Sequence, residues 1–253
     1  MKKTVMLMCA AGLVAMLSQC GEAPEKPLTA DEIVIRSIDS AGGQAYLENA
    51  IAFRFRNRAY RYHREAGQRV YERETQTDSG VITDILQGGA FTRLFDSTAV
   101  ALPDSLQQRY GNSVNSVHYF AYLPYGLNDA AVNRELLGKV ALKGQEYYKV
   151  RVTFDQQGGG EDFEDVFVYW FNTQSFNPDY LAYEYHTNGG GLRFREAYNT
   201  RRIGGIRFQD YINYKAEVGL PVAGLDSIYD AGGLEELSRI ELEEVTVTPG
   251  SYN

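Results

Sequence analysis

The chain has 253 residues, a formal net charge of −8, 13% aromatic residues and two cysteines. That length buries a full core without staples, and so aromatic a composition excludes disorder over most of the chain, as well as collagen, coiled coil and a multi-span membrane protein. An acidic chain with no basic tract repels phosphate backbones, so no nucleic acid is expected as a partner.

Lys2 and Lys3 precede an apolar run, Val5 to Leu17, that is too short to span a bilayer as a stable anchor. Residues 1–19 therefore read as a signal peptide. Leu17-Ser18-Gln19-Cys20 resembles the lipobox of bacterial lipoproteins, which implies lipid on Cys20 and attachment to a membrane through it; Gln19 stands where a small residue is usual. Cleavage there removes two lysines and no acid, taking the net charge from −8 to −10. It also removes Cys9, so with Cys20 acylated no thiol remains for a disulfide, a metal site or a nucleophile. Residues 20–28, with Pro24 and Pro27, have no hydrophobic period and read as a tether. Glu22 and Glu25 within it resemble the surface-export signals of Bacteroidota lipoproteins.

The domain, 29–253, opens with Thr29-Ala30-Asp31-Glu32, a capping box that predicts a helix carrying Ile33, Val34, Ile38 and Ala41 on one face. From Ile51 the period changes to two, and strands are expected at 51–56, 58–64, 68–77, 80–87 and 90–95, divided by glycine-rich turns. Leu106, Tyr110, Val114, Val117 and Leu123 recur at helical spacing up to Pro124, with Gly111 weakening the pattern. Strands are expected again at 145–154, 165–172, 180–187, 192–199, 206–215 and 239–247. Gly190-Gly191-Leu192-Arg193-Phe194-Arg195-Glu196 is echoed by Gly204-Gly205-Ile206-Arg207-Phe208-Gln209-Asp210, which reads as two strands entered from similar Gly-Gly turns.

The expected fold is mainly β with a few helices (α+β). The opening Asp31-Glu32-Ile33-Val34 with Gly42-Gly43 and Tyr46-Leu47, the Phe120-Ala121-Tyr122-Leu123-Pro124-Tyr125 tract, Gly144 to Val150 and Tyr169-Trp170-Phe171-Asn172-Thr173 resemble the LolA/LolB-like lipoprotein-carrier superfamily. The stretch from His118 to Tyr214 is similar to an uncharacterised Bacteroidota lipoprotein family. The resemblance implies a single, strongly curved antiparallel sheet, a half-barrel whose concave face is covered by helices. It also implies a cavity for a hydrophobic ligand, a lipid or acylated partner, in an outer-membrane-anchored envelope lipoprotein.

Candidate cavity residues are Phe53, Phe55, Tyr119, Phe120 and Tyr122, together with Trp170, Tyr183 and Tyr185. Alternate strand residues face opposite sides, so not all of these share one face. Arg193 and Arg207 are candidates for gripping a ligand headgroup at the rim. The simpler account places Arg193, Arg195 and Glu196 in cross-strand pairs with Arg207 and Asp210.

No catalytic residue is assigned, and neither a cofactor nor a metal is expected. His63, His118 and His186 are too far apart for a helical zinc pair, and no G-x-S-x-G elbow, P-loop or dinucleotide fingerprint occurs. Four carboxylates within residues 161–165 could bind calcium or act with His118 or His186 in an envelope enzyme, but a solvated acidic loop is the plainer reading. A protein-interaction module with an open sheet edge is the third alternative.

Overall fold

The computed structural model describes residues 26–157, 164–186 and 189–250. The signal peptide 1–19, Cys20, the first part of the tether and Glu161 to Phe163 of the acidic loop lie outside the described residues.

The expected capping box starts helix α1 (Ala30–Ala41): the Glu32 N–H donates to Thr29 Oγ1 at 3.2 Å, and the Thr29 N–H donates to Glu32 Oε2 at 2.7 Å. Ile33, Val34, Ile38 and Ala41 are buried on one face. A single turn, α2 (Ala45–Glu48), buries Tyr46 and leads into β1 (Asn49–Phe55), whose odd residues Ile51, Phe53 and Phe55 face the core. An antiparallel meander follows through β2 (Arg58–Glu65), β3 (Gln68–Thr77), β4 (Gly80–Gln87), β5 (Ala90–Phe95) and β6 (Thr98–Ala99).

Helix α3 (Asp104–Ala121) then carries the chain to a second antiparallel meander. This comprises β7 (Val132–Leu142), β8 (Gln145–Phe154), β9 (Val166–Asn172), β10 (Pro178–Tyr185), β11 (Gly191–Ile203) and β12 (Ile206–Ala216). A 3-10 turn (Val222–Gly224) and α4 (Leu225–Asp230) precede β13 (Glu235–Ile240), which completes the second sheet on β12. The last strand, β14 (Glu243–Pro249), returns to pair with β1. No helix among the described residues is long and apolar enough to cross a membrane.

The molecule is therefore mainly β, but it has two seven-stranded sheets, β14-β1-β2-β3-β4-β5-β6 and β13-β12-β11-β10-β9-β8-β7, where one curved sheet was expected. The break falls inside the strand predicted at 239–247. Glu241 and Leu242 step from the edge of one sheet to the edge of the other, and side chains of the second sheet satisfy the backbone of Leu242. Its N–H donates to Asp210 Oδ1 at 2.9 Å and its carbonyl accepts from Arg201 Nη2 at 2.5 Å. With those groups engaged, the step needs no ladder partner. Strand β7, unmarked in the sequence reading, packs against α1 at the far edge and bears a bulge between Leu136 and Gly138.

Two cores result. The larger lies between the sheets and takes in α1, the end of α3, Phe53 and Tyr62 from the first sheet, and Tyr169 and Phe208 from the second. The smaller lies on the outer face of the second sheet, where Trp170, Phe194 and Leu192 are roofed by Leu225 and Tyr229 of the α4 segment. Strand β9 is thus buried on both faces, which explains why Val166-Phe167-Val168-Tyr169-Trp170-Phe171 is apolar without alternation.

Candidate functional site

Helix α3 is fastened to the first sheet. Buried Asp84 accepts from Arg73 and Arg93 at 2.6 Å each, Arg73 also donates to Ser113 Oγ of α3 at 2.7 Å, and the Arg93 guanidinium lies 3.8 Å over the Tyr110 ring. At Gly111 the helix packs against Phe91 and Leu86, which a Cβ would meet only at ordinary contact distances of 3.6 and 3.7 Å. The opposite flank of α3 faces the second sheet across a cavity of about 400 Å³.

The two periodicities build this cavity. On α3, Ser116, Tyr119, Phe120 and Leu123 recur at three- and four-residue spacing and form one wall. On β10, Leu181, Tyr183 and Tyr185 share a face, and the register sets Tyr183 between Phe167 of β9 and Arg193 of β11. Phe154, Phe167 and Tyr183 form an aromatic floor, with Phe167 stacked on Tyr183 at 5.3 Å and edge-on to Tyr119 at 5.8 Å. A hydroxyl–hydroxyl bond of 2.7 Å between Tyr119 and Tyr169 ties helix to sheet, and burial pushes both phenols up, so both stay neutral.

The rim is polar. Arg193 Nη2 donates to the Tyr185 hydroxyl and Arg195 Nη2 to the Tyr183 hydroxyl, each at 2.9 Å. Gly191 opposite Tyr185 makes room for the first contact, because a Cβ there would sit 2.6 Å from the Tyr185 hydroxyl. Asp165, also on the rim, accepts from the His186 backbone N–H at 3.3 Å and stands 3.6 Å from its imidazole Nδ1.

Of the residues singled out from sequence, Tyr119, Phe120, Tyr183, Tyr185 and Arg193 come together in this cavity. Phe53, Phe55 and Tyr122 pack elsewhere in the inner core: Phe53 on Tyr60 at 5.2 Å, Phe55 edge-on to Phe120 at 5.5 Å, and Tyr122 edge-on to Phe53 at 6.0 Å. Trp170 lies on the other face of its strand, wholly enclosed under α4, because it is out of phase with Phe167 and Tyr169. Arg207 is away from the rim and buried, bonded to Gln209 and reaching Asp179 at 3.5 Å.

The expected cross-strand ion pairs also give way to other partners. The β11–β12 register sets Arg207 opposite Arg202 and Asp210 opposite Tyr198, so Asp210 instead pairs with Arg201 at 3.1 Å, and Glu196 accepts from Tyr214. His118 is enclosed among Phe53, Tyr60, Tyr71 and Tyr122, and both its ring nitrogens are engaged. Desolvation pushes its pKa down to about 3, so it is a neutral core residue without access to the cavity. Among the described residues, no group of three or more His, Cys, Asp or Glu side chains is placed to hold a metal. Phe154, Phe167, Leu181 and Arg195 were not marked as cavity residues, although the alternation of Phe167 with Tyr169 and Phe171 could have shown which face of β9 turns inward.

A LolA superfamily protein from Nitrosomonas europaea aligns over 87% of this chain and 94% of its own, with a TM-score of 0.51 and 15% identity, so the fold is LolA-like. A DUF1329 family protein from Desulfovibrio piger aligns over 82% of this chain and 99% of its own (TM-score 0.38, 9% identity). The Mycobacterium tuberculosis lipoprotein LppX aligns over 62% of this chain and 87% of its own (TM-score 0.27, 12% identity). No curated protein sequence matches. The chain belongs to a family of unknown function, DUF6503, whose model matches residues 5–242.

Proposed function

We propose that this protein is an envelope lipoprotein that binds or carries a hydrophobic ligand, a lipid or an acylated partner, in the cavity between α3 and the second sheet. The observation that carries the reading is the cavity itself. At about 400 Å³, with an aromatic floor and a few polar groups at its mouth, it falls in the range of small-molecule binding sites, roughly 300–1,000 Å³. A LolA-like fold is compatible with it. In this reading residues 1–19 are removed, acylated Cys20 and the tether to residue 28 hold the domain 29–253 at the outer membrane, and the organism is one of the Bacteroidota. A single acyl chain binds membranes only marginally, so a multiply acylated cysteine is the appropriate anchor.

Native mass spectrometry with lipid extraction, on protein released from the envelope of an expressing host without detergent, tests the cavity. A stoichiometric co-purified acyl-chain molecule is the expected result. A clean apo mass, combined with no uptake from added lipid vesicles, overturns the carrier reading. Metabolic fatty-acid labelling tests the anchor: Cys20→Ser abolishes the label, and a label that persists in the variant refutes lipidation at that residue.

A further inference from the structure

We infer that the ligand is an anionic single-chain amphiphile whose carboxylate or phosphate seats on Arg193 and Arg195. This rests on the cavity being the binding site and adds the chemistry of what fills it. In a chain of net charge −8, carboxylates outnumber cations, and the buried or half-buried arginines elsewhere have taken them: Arg73 and Arg93 share Asp84, Arg69 holds Asp129, and Arg201 holds Asp210. Arg193 and Arg195 differ. Among the described residues, no carboxylate lies within ion-pair distance of either, and their hydrogen bonds go to neutral oxygens: the hydroxyls of Tyr185 and Tyr183, and the Leu192 carbonyl. Arg195 Nε is enclosed and has no hydrogen-bond partner among the described residues. A partly desolvated cation without a counter-charge is costly, and an anion that supplies one gains correspondingly.

The two guanidinium groups are also held in place. Arg195 lies over the rings of Tyr183 and Phe120, at 5.0 and 5.3 Å, and Arg193 lies over Tyr185 at 5.2 Å. Stacking fixes the planes of the guanidinium forks, whose remaining N–H groups match the spacing of carboxylate or phosphate oxygens. Asp165 is the opposing charge on the rim. It is engaged with His186, and among the described lining residues it stands as one carboxylate against two arginines. Phe120, Leu123, Phe154, Phe167 and Leu181 line the same cavity as the arginines, so an anion that carries a hydrocarbon chain satisfies both kinds of lining. The volume, near the lower end of the range for ligand sites, suits one chain.

Photo-crosslinking on the full chain in envelope membranes of expressing cells tests this. The probes are a C16 fatty acid with a mid-chain diazirine and the alcohol of the same chain, with labelled peptides mapped by mass spectrometry. The acid is expected to label residues 115–123 and 181–195 at least about tenfold more than the alcohol, as charge-assisted hydrogen bonds require. The double variant Arg193→Gln, Arg195→Gln should bring the acid down to the alcohol's level, while the double Lys variant retains most of the labelling. Unchanged melting temperatures separate this loss from misfolding. Competition by dodecanoate or by dodecyl phosphate assigns the headgroup to the carboxylate or the phosphate class. Equal labelling of these segments by acid and alcohol, or equal competition by dodecanol, overturns the headgroup inference and leaves the cavity reading standing. Failure of both probes to label these segments overturns the cavity reading itself.

Discussion

Trp170 donates its indole N–H to Asp226 at 3.0 Å, and the oxygen that accepts it also accepts from Lys149 Nζ at 2.7 Å. All three residues lie on the outer face of the second sheet, and the Asp226 and Lys149 side chains are 8% and 12% exposed. One carboxylate thus holds the α4 roof to the sheet and neutralises an enclosed ammonium. Asp226→Ala is expected to cost about 3–5 kcal/mol in urea unfolding, because it strands Lys149, whereas the double variant Asp226→Ala, Lys149→Met recovers a large part of that loss. Trp170 is the only tryptophan. Its emission should shift red in the single variant and stay nearly constant when the cavity on the other face is filled. A large ligand-induced change would mean that binding reaches the α4 side.

The enclosure of His118 has a pH signature. A carbonyl can only accept, so the ring proton resides on Nε2, which donates to the Glu72 carbonyl at 3.1 Å, and Nδ1 accepts from the Tyr122 hydroxyl at 3.1 Å. Protonating Nδ1 would break that bond inside an aromatic cage. The folded-state pKa of about 3 lies below the ordinary value of 6.5, so the unfolded chain binds the proton first. The stability contributed is whole above pH 6.5 and is lost as the pH falls from there toward 3. At pH 5 the loss from this residue is about 2 kcal/mol. Urea unfolding at pH 7 and pH 5 measures it, and His118→Gln should flatten the dependence by roughly that amount. A variant with the same slope as the parent would place the acid sensitivity elsewhere.

Asp84 governs the seating of α3. Among the described residues it is the only carboxylate paired with Arg73 and Arg93 under the helix, and its side chain is 2% exposed. Asp84→Ala leaves both arginines uncompensated, with an expected cost of at least about 3 kcal/mol. The helix that walls the cavity should loosen first. Amide exchange in α3 should accelerate more than in β8–β10; uniform acceleration across both sheets would refute a local role for this cluster.

The elements were legible in the sequence wherever one face alone is buried. Alternation at Ile51, Phe53 and Phe55 marked β1, and the Thr29–Glu32 box marked α1, because in each case local geometry and burial agree. The face of Trp170 was not legible. Strand β9 is enclosed on both sides, so hydrophobicity carries no phase there, and only the α4 roof, built some fifty residues later in sequence, decides that Trp170 points outward. The register of β11 on β12 was hidden because it is set by the turn: pairing runs outward from Ile203 and Ile206, which puts Arg193, Arg195 and Glu196 opposite Lys215, Asn213 and Ile212, several residues away from Arg207 and Asp210. The division into two sheets falls at Glu241 and Leu242, where side chains of β11 and β12 satisfy the Leu242 backbone.

The Gly204-Gly205 turn that joins β11 to β12 is also where the sheets meet, and its two glycines are held for different reasons. Both have positive φ, +56° and +82°. A Cβ on Gly204 would stand 2.5 Å from Val247 Cγ1 of β14 in the other sheet, while a Cβ on Gly205 would meet nothing within 4 Å. Gly205→Ala therefore carries the backbone penalty alone, about 1 kcal/mol. Gly204→Ala carries that penalty and a steric one, for a total of about 2–4 kcal/mol. Adding Val247→Gly, which also removes the Val247 Cβ that would stand 2.6 Å away, should recover the steric part in the Gly204 background and only destabilise in the Gly205 background, a coupling that a double-mutant cycle reads directly. Equal costs for the two glycine variants, or additivity with Val247→Gly, would mean that the sheets are not in contact at this turn.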